Sequence, residues 1–139
     1  MYRTADDIIQ SLNLQPHPEG GFYRETWQSD AIVDGRAMAT SIIFLLPKGI
    51  TSRWHRVDAQ EMWIHQAGAP LQLRIAHDTG IQTHVLDATS TPQVIVPANA
   101  WQDARSSGDW TLVACIVSPG FQFEGFEMAP EGWSPDSSG

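Results

Sequence analysis

The stretch Gly49-Ile50-Thr51-Ser52-Arg53-Trp54-His55-Arg56-Val57-Asp58-Ala59-Gln60-Glu61, running on to Gly68, decides how this chain folds. Arg53–Val57 and Glu61–Gln66 read as two β-prone runs joined by a tight turn. His55 and Val57 stand two apart on one strand, so both side chains point to the same face. Glu61 begins the next strand and can reach back toward that face.

The same pattern extends in both directions. Further β-prone runs cover Phe22–Gln28, Met38–Leu46, Leu71–His77, Gln82–Leu86, Gln93–Val96, Trp110–Val117 and Phe123–Met128. Asp34-Gly35, Pro47-Lys48-Gly49, Gly68-Ala69-Pro70, Asp78-Thr79-Gly80, Thr91-Pro92 and Ser107-Gly108 break them. Many short strands at near-regular spacing indicate a sandwich or barrel. One short helix precedes them, with Thr4 as N-cap, Asp6 and Asp7 at its positive end, and Ile8, Ile9 and Leu12 as its apolar stripe. Pro16 and Pro18 close it off. The expected organisation over 1–139 is one domain: helix and turn over 1–20, strands over 21–129, and a loose Pro/Ser/Gly-rich tail over 130–139.

Composition excludes several classes of partner. Sixteen acidic against eight basic residues give a formal net charge of −8, and no basic run exists. A nucleic-acid or anionic-membrane surface is therefore not expected. No apolar stretch approaches membrane-spanning length and the start lacks a signal-peptide layout, so a cytoplasmic protein is expected. Cys115 is the sole cysteine and sits in the apolar run 112–117, where it reads as an inert buried thiol. Six tryptophans in 139 residues suggest aromatic rings lining a core, a pocket or an interface.

The spacing of Gly49, His55, Val57, Glu61 and Gly68 resembles the first cupin motif, with Val57 standing where that motif carries a second histidine. Pro97-Ala98-Asn99-Ala100-Trp101-Gln102 resembles the second cupin motif, with Gln102 in the place of a ligand histidine. In metal-binding cupins these four positions converge in the barrel as ligands. Val57 offers no donor and Gln102 only a neutral amide, whereas catalytic metals need about three good protein ligands. The resemblance therefore implies no tightly held cofactor; His55, Glu61 and Gln102 are the side chains through which a divalent ion would bind weakly.

A wider resemblance rests on residues 17–26, 52–57, 61–63 and 96–102, and is to small single-domain cupins grouped as a domain of unknown function. It implies an all-β, RmlC-like jelly roll and a homodimer. Gly21-Phe22-Tyr23-Arg24-Glu25 is also similar to the early strand of dTDP-sugar 3,5-epimerases. That likeness implies Phe22 and Arg24 near a sugar nucleotide, Arg24 and Arg53 on a phosphate or enolate, and His55 as general base.

Blander roles stand beside these. Glu61 could be an ion pair with Arg53 or Arg56, Trp63 could be plain core, and His17-Pro18-Glu19-Gly20-Gly21 could be a turn that only positions the first strand. Arg24 and Glu25 point to opposite faces, so at most one faces the interior. The reading adopted is a small-molecule-binding cupin with a sugar-like or other small polar ligand. Its catalytic candidates are His55 and Glu61, and its ligand-binding candidates are Arg24, Phe22, Arg53, Trp63 and Gln102. A sugar epimerase or isomerase using His55, or a weakly metal-dependent enzyme, is the alternative.

Overall fold

A computed structural model of the chain describes residues 3–135. Helix α1 (Ala5–Ser11) starts on a capping box, in which Thr4 and Asp7 each accept from the other's backbone N–H. Then come β1 (Gln15–Pro16), β2 (Phe22–Gln28), β3 (Ile32–Val33), β4 (Arg36–Ala37), β5 (Thr40–Pro47), β6 (Thr51–Val57) and β7 (Gln60–Gly68). The chain continues through β8 (Leu71–His77), β9 (Gly80–Leu86), β10 (Gln93–Val96), β11 (Gln102–Ser106), β12 (Trp110–Ser118), a 3₁₀ turn (Phe123–Gly125) and β13 (Phe126–Met128).

Two antiparallel sheets face each other. One runs β1-β2-β5-β12-β7-β10 and the other β13-β6-β11-β8-β9, with β3–β4 as a separate hairpin. This is the expected jelly roll. Between the sheets lies an apolar core that includes Phe44, Leu46, Trp63, Leu73, Ile75, Leu86 and Val113. On β5 the alternation is strict: Phe44 and Leu46 enter this core, while Leu45 joins Ile8 and Leu14 in a second cluster with α1. The helix therefore covers the outer side of the larger sheet and leaves the barrel interior to the strands.

Strand β11 was not among the expected runs. Gln102-Asp103-Ala104-Arg105-Ser106 is polar at nearly every position, and pairing with both β6 and β8 is what makes it a strand. Phe123–Gly125 is a 3₁₀ turn instead of the beginning of a strand. Within the stretch read as a loose tail, Trp133 packs on Trp101 with ring centroids 4.7 Å apart. Residues 136–139 lie outside the described part of the chain.

Register in β6 carries a consequence for the interior. Gln102 pairs with His55, but Ala104 pairs with Ser52, so three steps on β6 match two on β11. The extra residue is a β-bulge at Arg53–Trp54. It returns Ser52 to the interior side together with His55 and turns Arg53 away.

The turn joining β1 to β2 is pressed onto β6. Arg53 N–H donates to Glu19 O at 2.8 Å, and a Cβ at Gly20 would collide with Thr51 O. Gly20 also sits at φ +108, a region closed to ordinary side chains. Gly35, at φ +77 in the β3–β4 turn, has open space around its Cα. Gly35→Ala should therefore cost only the left-handed strain, about 1–2 kcal/mol. Gly20→Ala should cost clearly more, measured as a larger drop in denaturant midpoint; equal losses would mean that the turn is not held against β6.

Candidate functional site

At one end of the barrel the apolar core gives way to a cavity of about 260 Å³. Its walls include His17, Glu19, Tyr23, Glu25, Thr40, His55, Glu61, Cys115 and the rings of Phe121, Phe123 and Phe126. Both sheets and the β1–β2 turn contribute. His55 comes from β6 in the smaller sheet, Glu61 from the start of β7 in the larger, and Glu19 from the turn.

Glu19 is the hub of the arrangement, and only 6% exposed. Its Oε2 lies 3.0 Å from His55 Nε2 and accepts from Ser52 Oγ–H. Its Oε1 lies 3.2 Å from His17 Nδ1, and its own backbone N–H donates to that nitrogen at 3.1 Å. Nδ1 of His17 is thus an acceptor, which puts the ring proton of a neutral His17 on Nε2. Nδ1 of His55 lies 2.6 Å from Arg53 O, so it must be the donor there. The His55 lone pair then falls on Nε2, opposite Glu19.

Burial sets the protonation of these groups. It lifts the Glu19 carboxyl to about 8 against the opposing Ser52 hydrogen bond. It lowers His55, against the pull of Glu61, the Arg53 carbonyl and Asp103. It also lowers His17 to about 4, with His55 adding to the effect. Near neutral pH the Glu19–His55 contact is accordingly a neutral acid–imidazole hydrogen bond, not an ion pair.

A second carboxyl follows the same logic. Glu61 Oε1 accepts from Gln102 Nε2 at 2.8 Å, and Gln102 Oε1 accepts from Trp63 Nε1–H at 2.8 Å. The indole thereby fixes which way the amide points. Burial raises Glu61 to about 7; His55 opposes the shift and Glu19 adds to it. Cys115 also lines the cavity, its thiol pushed up by burial and by the two carboxyls.

The residues singled out in the sequence fall into three groups. His55 and Glu61 line the cavity. Gln102 and Trp63 are fully buried behind Glu61 and act on it through the amide relay. Phe22, Arg24 and Arg53 do not line it. Phe22 and Arg24 sit on the outer face of β2, where Phe22 joins the α1 cluster and Arg24 Nη1 donates to Leu12 O at 2.7 Å. The inward face of β2 is that of Tyr23 and Glu25. The bulge turns Arg53 out to donate to Ala129 O at 3.1 Å. Arg56 is no partner of Glu61 either, since it pairs with Glu127.

His17 and Glu19 sit in a segment whose sequence left open a tight turn or a close approach to a ligand, and neither was singled out as a site residue. Their sequence signals are the Gly20-Gly21 pair and their place in the 17–26 run of the family resemblance, neither of which tells a turn from a site.

The four positions matching cupin metal ligands do not fit a divalent ion. Val57 carries no donor, and the Gln102 oxygen is committed to Trp63 while its NH₂ group faces Glu61. Among the described residues no three His, Cys, Asp or Glu side chains are grouped as a metal site, nor is any helix long and apolar enough to cross a membrane.

A two-sheet antiparallel barrel with its polar cavity between the His55 strand and the Glu61 strand is a cupin. The sequence profile of the cupin superfamily family DUF985 matches residues 6–129, and the chain belongs to that family. An X-ray structure of a protein from Shewanella oneidensis is 38% identical, with a TM-score of 0.85 over 92% of this chain and 85% of that one. A hypothetical protein from Leishmania major is 32% identical, with a TM-score of 0.84 over 91% and 88%. Oxalate decarboxylase from Bacillus subtilis shares the fold at 12% identity, TM-score 0.65, over 82% of this chain and 29% of that one. No curated protein matches the chain.

The shifts predict how stability depends on pH. The raised carboxyls contribute fully below their ordinary value of 4.5, and their contribution is lost as pH climbs through about 7 and 8. The lowered histidines act in the opposite sense, but only below their ordinary value of 6.5. Between those limits the carboxyls act alone. The melting temperature should fall from pH 6.5 to 8.5, and the Glu19→Gln/Glu61→Gln double variant should flatten that fall. A wild-type melting temperature that rises across the window contradicts the assignment.

Proposed function

We propose that this cupin binds a small polar metabolite in the cavity, one that carries no phosphate or other strong negative charge. The supporting observation is the lining itself: two buried carboxyls stand at its floor, and neither Arg nor Lys is among its wall residues. An anion entering there would find no counter-charge, and its own charge would resist ionisation of either carboxyl. The two arginines expected to hold a phosphate, Arg24 and Arg53, end on carbonyl oxygens elsewhere. The volume corresponds to about nine waters at about 30 Å³ each, which suits a ligand of monosaccharide size. Buried carboxyls whose titration is strongly shifted, set in a cleft, cluster at functional sites.

A second reading, a proton-transferring isomerase, is favoured by the pairing of a neutral imidazole with a carboxylic acid near pH 7. In that case His55 would act through Glu19 instead of meeting the substrate directly. It is 1% exposed and both of its nitrogens are engaged. Glu61 and Glu19 would be the groups that exchange protons with the substrate, since acids poised near the working pH are the effective ones. We also propose that two copies pair; light scattering that shows a strict monomer at high micromolar concentration contradicts this.

Native mass spectrometry of gently purified protein, followed by a thermal-shift screen of neutral, cationic and anionic metabolites, tests the binding reading. Glu61→Gln should keep the Gln102 hydrogen bond and melt within a few degrees of wild type at pH 7, but lose the ligand response. Arg24→Ala should retain that response. Selective stabilisation by sugar phosphates would contradict the reading.

A further inference from the structure

The protein's arginines are committed away from the cavity. Arg36 pairs with Asp58 at 2.7 Å, Arg56 with Glu127 at 2.7 Å and Arg74 with Asp103 at 2.6 Å. Glu19 and Glu61 receive only hydrogen bonds and imidazole contacts. Above them stands a wall of three phenyl rings set steeply to one another. Phe121 meets Phe123 at 85° and 5.0 Å, Phe121 meets Phe126 at 64° and 5.8 Å, and Phe123 meets Phe126 at 79° and 6.1 Å. Phenyl faces carry negative quadrupole density and attract a cation; Phe126 also packs on the His55 ring at 5.6 Å, and Phe123, 51% exposed, stands at the solvent side. One further donor belongs to the lining: His17 is 8% exposed, and with Nδ1 accepting from the Glu19 N–H the proton of its neutral ring is on Nε2.

These features ask for different parts of one ligand. Carboxyls and phenyl rings call for positive charge, while the His17 Nε2–H calls for an acceptor oxygen. We propose that the cavity receives a small hydroxylated organic cation, an amino alcohol or amino sugar, with its ammonium group between Glu19, Glu61 and the phenylalanine wall and a hydroxyl oxygen on His17. This rests on the reading of the cavity as a ligand site and narrows its ligand class. The net charge of −8 favours approach of such a cation.

The groups facing the two carboxyls are His17, His55, Ser52, Gln102, Cys115 and each other, and Glu25 and Tyr23 of β2 line the same cavity. None supplies a permanent positive charge. A bound cation therefore drives the carboxyls toward their ionised forms and displaces protons. Affinity for a quaternary ammonium, which has no titrating group of its own, then rises with pH between 6 and 8.

Isothermal titration calorimetry with paired probes decides the matter: choline against its neutral isostere 3,3-dimethylbutan-1-ol, and glucosamine against glucose. At least one cation should bind ten times or more tightly than its neutral partner. Two buffers of different ionisation enthalpy should register proton release at pH 7. Glu61→Gln should lower that affinity at least tenfold, and Glu19→Gln does the same if Glu61→Gln misfolds. If glucose or the neutral alcohol binds as tightly as its charged partner, the cation proposal falls and the ligand-site reading stands. If none of the four binds at millimolar concentration, the cation proposal also falls, and the native mass spectrum decides the site reading separately.

Discussion

The barrel interior is organised by one contact, the carboxyl of Glu19 against the imidazole of His55, sealed in a place where neither is comfortable as an ion. A carboxylate moved out of water without a cation is costly, so the group holds its proton instead. Everything nearby is arranged to make that tolerable. The bulge in β6 brings Ser52 back inside to donate to Glu19, and the Arg53 carbonyl holds the other side of His55. The glycine turn lets Glu19 reach β6 at all. One bulge and one glycine turn thus place a proton-sharing pair at the floor of the barrel.

Val57 and Gln102, at two positions where metal-binding cupins carry ligands, give this cavity a different lining. Gln102 is held by the Trp63 indole so that its amide donates to Glu61, and Val57 packs with Ala59 and Val117. In place of a charged metal ringed by ligands, the cavity has a neutral hydrogen-bonded network with two acids ready to ionise. Such a network responds to what enters it: a cation draws protons off, and a neutral hydroxyl compound leaves them in place.

Much of this was legible in the chain. Turn residues and alternation gave most of the strands, because most bury one face and expose the other. The two-residue step from His55 to Val57, and the turn before Glu61, put His55 and Glu61 on consecutive strands, and the structure sets those strands in facing sheets. What the sequence concealed has specific causes. Strand β11 is polar and owes its conformation to two neighbours far away in sequence. The parity of β2 could not be set by pattern alone, since Phe22, Tyr23, Arg24 and Glu25 offer no clean alternation; the packing of Phe22 and Leu45 beneath α1 settles it. Arg53 was displaced by a bulge that no local signal announces. Glu19 looked like turn residue because its partners, Ser52 and His55, lie more than thirty positions away.

The account depends on carboxyls that stay protonated near neutral pH, and their titration can be followed directly. Carbon-13 NMR of the glutamate side-chain carboxyls across pH 3 to 10 should show two resonances moving near pH 7 and 8, well above the rest. One should vanish in Glu19→Gln and the other in Glu61→Gln. If every glutamate has finished titrating by pH 5.5, the interior is not the neutral acid–imidazole network described, and the account of the cavity is wrong.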